Sequence, residues 1–254
     1  MYIETSFASG TGTFGEAAPD FAASDNALLN RFNESFETVT ATTREQIRDA
    51  QRIRYQVYCI EKSLEAPNGD AIESDGFDAH AVHGLLFSKA AGKALGTVRL
   101  VLPVHTDIQN SFPTQSALRG AALRKFNGLP LHAAAEVSRF SISRQMRRTN
   151  LSASNESGES GPLMRLGLIQ ALVRMSVEFG VEYWCAIMEP TLLRMLAAMA
   201  IRFEPIGPLV EFHGLRQPCY CHLPDVLEAV RRERPTFWSV LTEGGTLLER
   251  AACG

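Results

Sequence analysis

No stretch of this chain stays apolar for the roughly 20 residues that a membrane span needs. The nearest approach, Trp184 to Phe203, is interrupted by Glu189, Pro190, Arg194 and Arg202. Positive charge is missing at the start: the first basic residue is Arg31, so no signal peptide is expected. Cysteine is scarce and unpaired in pattern. Cys59, Cys185, Cys219, Cys221 and Cys253 are odd in number and irregular in spacing, which does not look like a disulfide framework and makes a reducing cytoplasm the simpler expectation. Cys219-Tyr-Cys221-His222 has no second ligand pair at zinc spacing and reads as packed or idle thiols. A basic excess is also lacking. With 25 Lys and Arg against 28 Asp and Glu the net charge is -3, so no nucleic-acid partner is expected. What remains, 45% hydrophobic and 21% charged over 254 residues, is ordinary globular composition with room for one large domain or two small ones.

The chain reads in order as follows. Residues 1–35, rich in Gly, Ala, Ser and Thr, are expected to be a flexible tail with a short helix near Leu28 to Phe32. Phe36 to Thr42 alternates as a strand, and Thr43 with Gln46 forms a capping box that opens a helix to about Glu61. Arg54 borders the apolar stripe of that helix, so it either snorkels to solvent or has an anionic partner. Asp75, Asp78, His80 and His83 invite a metal reading, but the two histidines face opposite sides of a regular strand. The plainer reading is that Asp75 and Asp78 partner buried arginines, or that the segment is a solvated loop. Ala81 to Ala90 and Ala94 to Val104 form an antiparallel pair with Arg99 in its middle. Residues 105–130 look irregular or partly helical.

The most informative stretch is Ala133 to Arg148. It begins as a strand carrying Glu136, and acidic residues are rarely fully buried without a purpose. It ends in Arg144, Arg147 and Arg148, which are either a solvated basic turn or a dock for an acidic partner. Thr149 to Gly161 reads as a loop, with Gly158 and Gly161 compatible with, but weak support for, a phosphate site. A largely buried helix from Leu163 to Phe179, a strand to Met188, a helix from Pro190 to about Arg202 and short strands over Pro205 to Tyr220 follow. Pro224 to Arg232 is amphipathic, and Phe237 to Leu248 forms one more short helix or strand. Strands surrounding two crossover helices argue for one mixed-sheet α/β domain over residues 36–254.

Six motifs follow one another in a specific order and spacing: Arg52-Ile-Arg54-Tyr-Gln-Val-Tyr58-Cys-Ile-Glu61, Asp75-Gly-Phe-Asp78-Ala-His80, Gly96-Thr-Val-Arg99-Leu, Glu136-Val-Ser-Arg139-Phe, Met188-Glu-Pro-Thr-Leu-Leu-Arg194 and Gly207-Pro-Leu-Val-Glu-Phe-His213-Gly-Leu-Arg216-Gln-Pro218. Together they resemble the Gcn5-related N-acetyltransferase (GNAT) superfamily in its acyl-homoserine-lactone-synthase-like branch. The resemblance is closer to acyltransferases of PEP-CTERM/exosortase systems, relatives of the long-chain N-acyl amino acid synthases, and covers roughly residues 37–245. It implies a three-layer fold whose mixed, mostly antiparallel sheet splays beside the central strand. It also implies a substrate site of Arg54, Tyr58, Asp75, Asp78, Arg99, Arg139 and Phe140, in which the carboxylates partner Arg54 and Arg99. The aromatic that homoserine-lactone synthases carry after the first motif is missing, with Leu64 near its place, which favours another amine acceptor. The Gly-rich pyrophosphate loop of coenzyme A users is not evident, which favours acyl carrier protein over acyl-CoA as donor.

On this reading the enzyme is an N-acyltransferase that holds no permanent cofactor and no metal. Glu136, directly or through water, is the general base that deprotonates an amino acid or similar small amine. Backbone N–H groups beside the splayed strand polarise the thioester. Phe140, Met164, Leu168, Met188, Met195 and Met199 are candidates for an acyl tunnel, and Arg99, Arg139 and Arg216 for holding an acceptor carboxylate. Arg144, Arg147 and Arg148 dock the carrier, and a lipid product brings peripheral membrane contact. Alternatives are an autoinducer synthase and a catalytically idle module that binds lipid or acyl carrier.

Overall fold

A computed structural model of the chain describes residues 21–151, 160–212 and 214–252. Helix α1 (Phe21–Ser35) leads into β1 (Phe36–Thr40) and α2 (Arg44–Tyr55), which continues as a π-helical turn, Gln56–Glu61. A loop and a short 3-10 turn precede the hairpin β2 (Ala81–Ser88) and β3 (Lys93–Val101). Helices α3 (Pro113–Ala117) and α4 (Gly120–Asn127) lead to β4 (Ala134–Ile142), α5 (Arg144–Leu151), α6 (Ser160–Glu178), β5 (Tyr183–Met188) and α7 (Pro190–Ala198). Short strands β6 (Glu204–Pro205) and β7 (Val210–Glu211) precede β8 (Leu215–His222), α8 (Leu223–Glu233), α9 (Pro235–Thr242) and α10 (Thr246–Ala252).

The strands form one sheet in the order β1-β2-β3-β4-β5-β8-β6, with β7 paired to β8. Every pairing is antiparallel except β4 with β5. That parallel pair is brief, Ala134–Glu136 against Tyr183–Cys185. Beyond it β4 stays with β3 as far as Ile142, and β5 stays with β8 as far as Met188. The sheet therefore opens into a wedge at Glu136, the splayed GNAT arrangement the motifs imply.

Helices cover both faces. On one, α6 approaches so closely that a Cβ on Gly84 would lie 2.8 Å from the Ala171 methyl carbon. A Cβ on Gly167 would come within 2.6 Å of Leu86 and 2.8 Å of the Phe32 ring. On the other face α2 packs Ala50 and Ile53 against Leu85. A second cluster built on Phe112, Phe126 and Leu131 reaches Val101 and Cys185. Leu85 and Leu86 serve opposite faces, as strand alternation requires.

Three expectations change. Residues 21–35 are helical, and Phe32 is buried in the main core, because its ring packs on Gly167 of α6; residues 1–20 of the expected tail lie outside the described residues. The first helix widens at Gln56 instead of running regularly to Glu61. The arginine-rich end of the central stretch is helix α5, while residues 152–159 of the expected loop lie outside the described residues. Among the described residues no helix is long and apolar enough to cross a membrane.

Candidate active site

Cross-strand register places the key side chains on one face. His83 pairs with Arg99, Val101 with Glu136, and Glu136 with Cys185. α2 lies over this face, started by the Thr43–Gln46 capping box and carrying Arg54 inward. The loop after the π turn brings Glu73 beneath it, and Asp75 and Asp78 cap the 3-10 turn reciprocally.

The outcome is a network of three guanidinium and three carboxylate groups, with Arg54, Arg99 and Glu73 buried and Asp75, Asp78 and Arg139 half-buried. Arg54 binds Glu73, and its Nη1 lies 2.7 Å from Asp78 Oδ1. Arg99 Nη1 lies 2.6 Å from Asp75 and 2.7 Å from Asp78. Arg139 Nη2 lies 2.9 Å from both Glu73 and Asp75. Burial by itself would raise the carboxyl pKa values, but the arginine bonds and charges outweigh it and hold Glu73, Asp75 and Asp78 below the usual carboxylate range. The expected partnership of Asp75 and Asp78 with Arg54 and Arg99 is therefore observed. Glu73 went unread as a member of a polar loop. A charge count could have found it, since three inward arginines exceed two acids by one.

Arg139 has a left-handed backbone, φ 53°, at the register shift where β4 bulges against β3. Such a conformation costs a non-glycine residue roughly 1–3 kcal/mol and persists where surrounding contacts enforce it. Here those contacts are the two carboxylates and the Tyr58 ring, whose centroid lies 5.2 Å from the guanidinium carbon. Glu61, at the end of the π turn, accepts from the Ser143 hydroxyl at 2.9 Å and from the Arg144 and Gln145 amides at 3.1 and 3.2 Å. It thereby ties the Tyr58 turn to the end of β4.

Glu136 sits outside the network. It is 3% exposed, and its Oε2 accepts from the Thr114 amide at 2.7 Å, at the start of α3. Burial pushes its carboxyl up to about 7, against the Thr114 hydrogen bond and the more distant Arg99 and Arg139 charges. Its neighbours Cys185 and Cys219 are buried thiols raised far above their ordinary range, mainly by desolvation, and are inert as nucleophiles.

A cavity of about 420 Å³ occupies the wedge. Tyr58, Asp75, Arg99, Glu136, Ser138 and Arg139 contribute to its polar wall; Phe140, Ile169, Leu172, Trp184, Met188 and Met195 contribute to its apolar wall. Trp184 is fixed there by its indole N–H, which donates to Ser176 Oγ at 2.8 Å. Arg54 and Asp78, expected to bind substrate, do not line the cavity; they stand behind its wall as supports, Arg54 fully buried. Met164 and Leu168 are core residues, and Met199 also lies outside the lining. Arg165, Ile169, Leu172 and Trp184 were missed, because a largely apolar helix and strand do not show by pattern which face meets a cavity. His80 bonds the Ser111 carbonyl at 3.0 Å, while His83 lies 3.8 Å from Asp78 and is lowered to about 4, mainly by burial and then by Arg54. No metal-holding group of three occurs among the described residues. Arg144, Arg147 and Arg148 are exposed on α5. His213 lies outside the described residues.

Residues 53–154 match the family described as acetyltransferase (GNAT) domain. FeeM, an N-acyl amino acid synthase from uncultured soil microbes, shares the fold with TM-score 0.54 and 16% identity, covering 76% of this chain and 95% of that one. MesI, a CoA-dependent acyl-homoserine lactone synthase, gives 0.53 and 22%, covering 77% and 94%. LasI, an acyl-homoserine-lactone (AHL) synthase, gives 0.51 and 18%, covering 74% and 89%. No curated protein matches the chain in sequence. The chain thus has the mixed α/β fold of GNAT proteins. The domain match supports an N-acyltransferase.

Proposed function

We propose that the protein transfers a long-chain acyl group from a carrier-protein thioester to the amine of an amino acid or similar small acceptor. The observation that carries this reading is a buried carboxylate, raised to about 7, in the wall of a cavity that is polar at one side and apolar at the other. A general base works best when its pKa lies near the working pH, and burial supplies that tuning here.

An ammonium acceptor loses its proton to Glu136, directly or through one water. The amine nitrogen then bonds to the thioester carbonyl carbon, and the carbon–sulfur bond breaks. The leaving thiolate takes that proton back from the Glu136 carboxyl, and the nitrogen's second surplus proton passes through the freed carboxylate to water. Backbone N–H groups at the Arg139 bulge, where β4 parts from regular pairing, polarise the carbonyl. Phe140, Met188 and Met195 hold part of the acyl chain; methionine suits an irregular apolar cavity. Arg144, Arg147 and Arg148 offer an acidic carrier protein an exposed basic ridge on the helix that follows the central strand. Leu64 lines the cavity as an aliphatic side chain, which favours an acceptor other than one leading to a homoserine lactone. FeeM is by name an N-acyl amino acid synthase, and the motif resemblance to exosortase-associated acyltransferases points the same way.

The test is mass spectrometry of lipid extracts from cells expressing the wild type and Glu136→Gln. New N-acylated amines in the wild type alone are expected. Identical lipid profiles, with both proteins soluble and folded, would overturn the proposal.

A further inference from the structure

Five cationic side chains line the cavity: Lys62, Arg99, Arg139, Arg165 and Arg216. Four have partners in the protein. Arg99 and Arg139 are engaged by Asp75, Asp78 and Glu73. Arg216 lies 3.2 Å from Glu189, and Lys62 lies 5.8 Å from the centroid of the Tyr58 ring. Arg165 has no hydrogen bond or ion pair among the described residues. It is partly buried on α6, and it shares the cavity-facing side of that helix with Ile169 and Leu172, one and two turns further on. A guanidinium drawn part-way out of water beside apolar side chains, with no anion supplied by the described residues, is set to receive one from a ligand. Arg147 of α5 approaches the same end of α6, with its Nη1 3.8 Å from where a Cβ on Gly161 would stand. The arginines nearest Glu136, which sequence reasoning offered for an acceptor carboxylate, are already neutralised.

We propose that Arg165 is the residue by which this cavity recognises an oxyanion on its substrates. Two groups carry that chemistry: the phosphate of the donor's phosphopantetheine arm and the carboxylate of an amino-acid acceptor. The inference rests on the acyl-transfer reading above and adds a specificity-determining residue to it.

The experiment compares wild type, Arg165→Ala and Arg165→Lys on matched ligands. The donor arm uses an acyl-phosphopantetheine and the same acyl-pantetheine without phosphate. The acceptor arm uses an amino acid and its neutral amide. A charge-assisted contact predicts a wild-type preference for one anionic ligand of roughly ten- to hundredfold in kcat/KM, appearing mainly in KM. Arg165→Ala should erase that preference, and Arg165→Lys should restore part of it. Loss of the phosphate preference assigns the donor, and loss of the carboxylate preference assigns the acceptor. If both preferences survive in Arg165→Ala, Arg165 is only a solvated side chain and the proposal fails. Calorimetric binding of the two thioesters, and of an N-acyl amino acid and its amide, applies the same test without turnover. A wild type that binds as predicted yet forms no N-acyl product counts against the acyl-transfer reading and leaves Arg165 supported as an oxyanion site. Circular dichroism confirms that each variant is folded.

Discussion

Two acidic regions share one face of the sheet and behave in opposite ways. Glu73, Asp75 and Asp78 are surrounded by arginines, and their pKa values fall. Glu136, paired across the strands with Val101 and Cys185, has no arginine in contact, and its pKa rises to about 7. Desolvation acts on both, most strongly on Glu136, and bonded cations outweigh it only in the first. The first region is a permanently charged support. The second is a group that can exchange a proton near neutral pH.

Replacing Glu136 with Gln should produce the largest change, a fall in kcat of roughly 10²- to 10⁴-fold with the fold retained, as expected when a general base is removed. Steady-state rates with circular dichroism check it. A smaller loss would mean that the acceptor is deprotonated elsewhere. Breaking the charged support should damage stability instead. Asp78→Ala leaves Arg54 and Arg99 short of an anion, and removing one partner of a buried pair costs roughly 3–5 kcal/mol. Chemical denaturation measures it, and an unchanged midpoint would show the network to be expendable.

The two regions should also respond oppositely to pH. The folded-state pKa of Glu136 lies above the ordinary 4.5, so its contribution to stability is present below about pH 4.5 and lost as pH rises through about 7. At about 1.4 kcal/mol per pKa unit, Glu136→Gln should gain roughly 3 kcal/mol on wild type between pH 4.5 and 8, less the effect of altering the Thr114 contact. The support carboxylates have lowered pKa values, so their contribution is present above the ordinary carboxylate range and lost as pH falls below it. Melting temperatures of both proteins across this range give the comparison. Parallel curves would deny that Glu136 is perturbed. The smallest effect is expected at Tyr58→Leu, which removes the ring from Arg139: roughly 0.5–2 kcal/mol for the cation–π contact, seen as a modest rise in KM.

Local rules made much of this legible. The Thr43–Gln46 capping box forms as expected. Arg54 and Arg99 find the carboxylates that buried charges require. Glu136, an acid inside a strand, lies at the cavity, and the sheet splays beside it. The hidden features depend on contacts between distant segments. The left-handed backbone at Arg139 is held by Glu73 and Asp75, more than sixty residues away in sequence, and nothing in the local pattern marks it. Thr114, whose amide meets Glu136, comes from a segment that reads as irregular. The packing of α1 depends on Gly167 leaving room for Phe32, a fit visible only once both are placed. Arg165 looks like any polar position in a long apolar helix until the cavity identifies the side it faces.

The most direct test is the pH dependence of single-turnover acyl transfer in wild type and Glu136→Gln. The account predicts that the wild-type rate rises with pH and reaches half its plateau near 7, the value to which burial raises Glu136, and that this step disappears with most of the rate in the variant. A variant that kept both the rate and the step would contradict it.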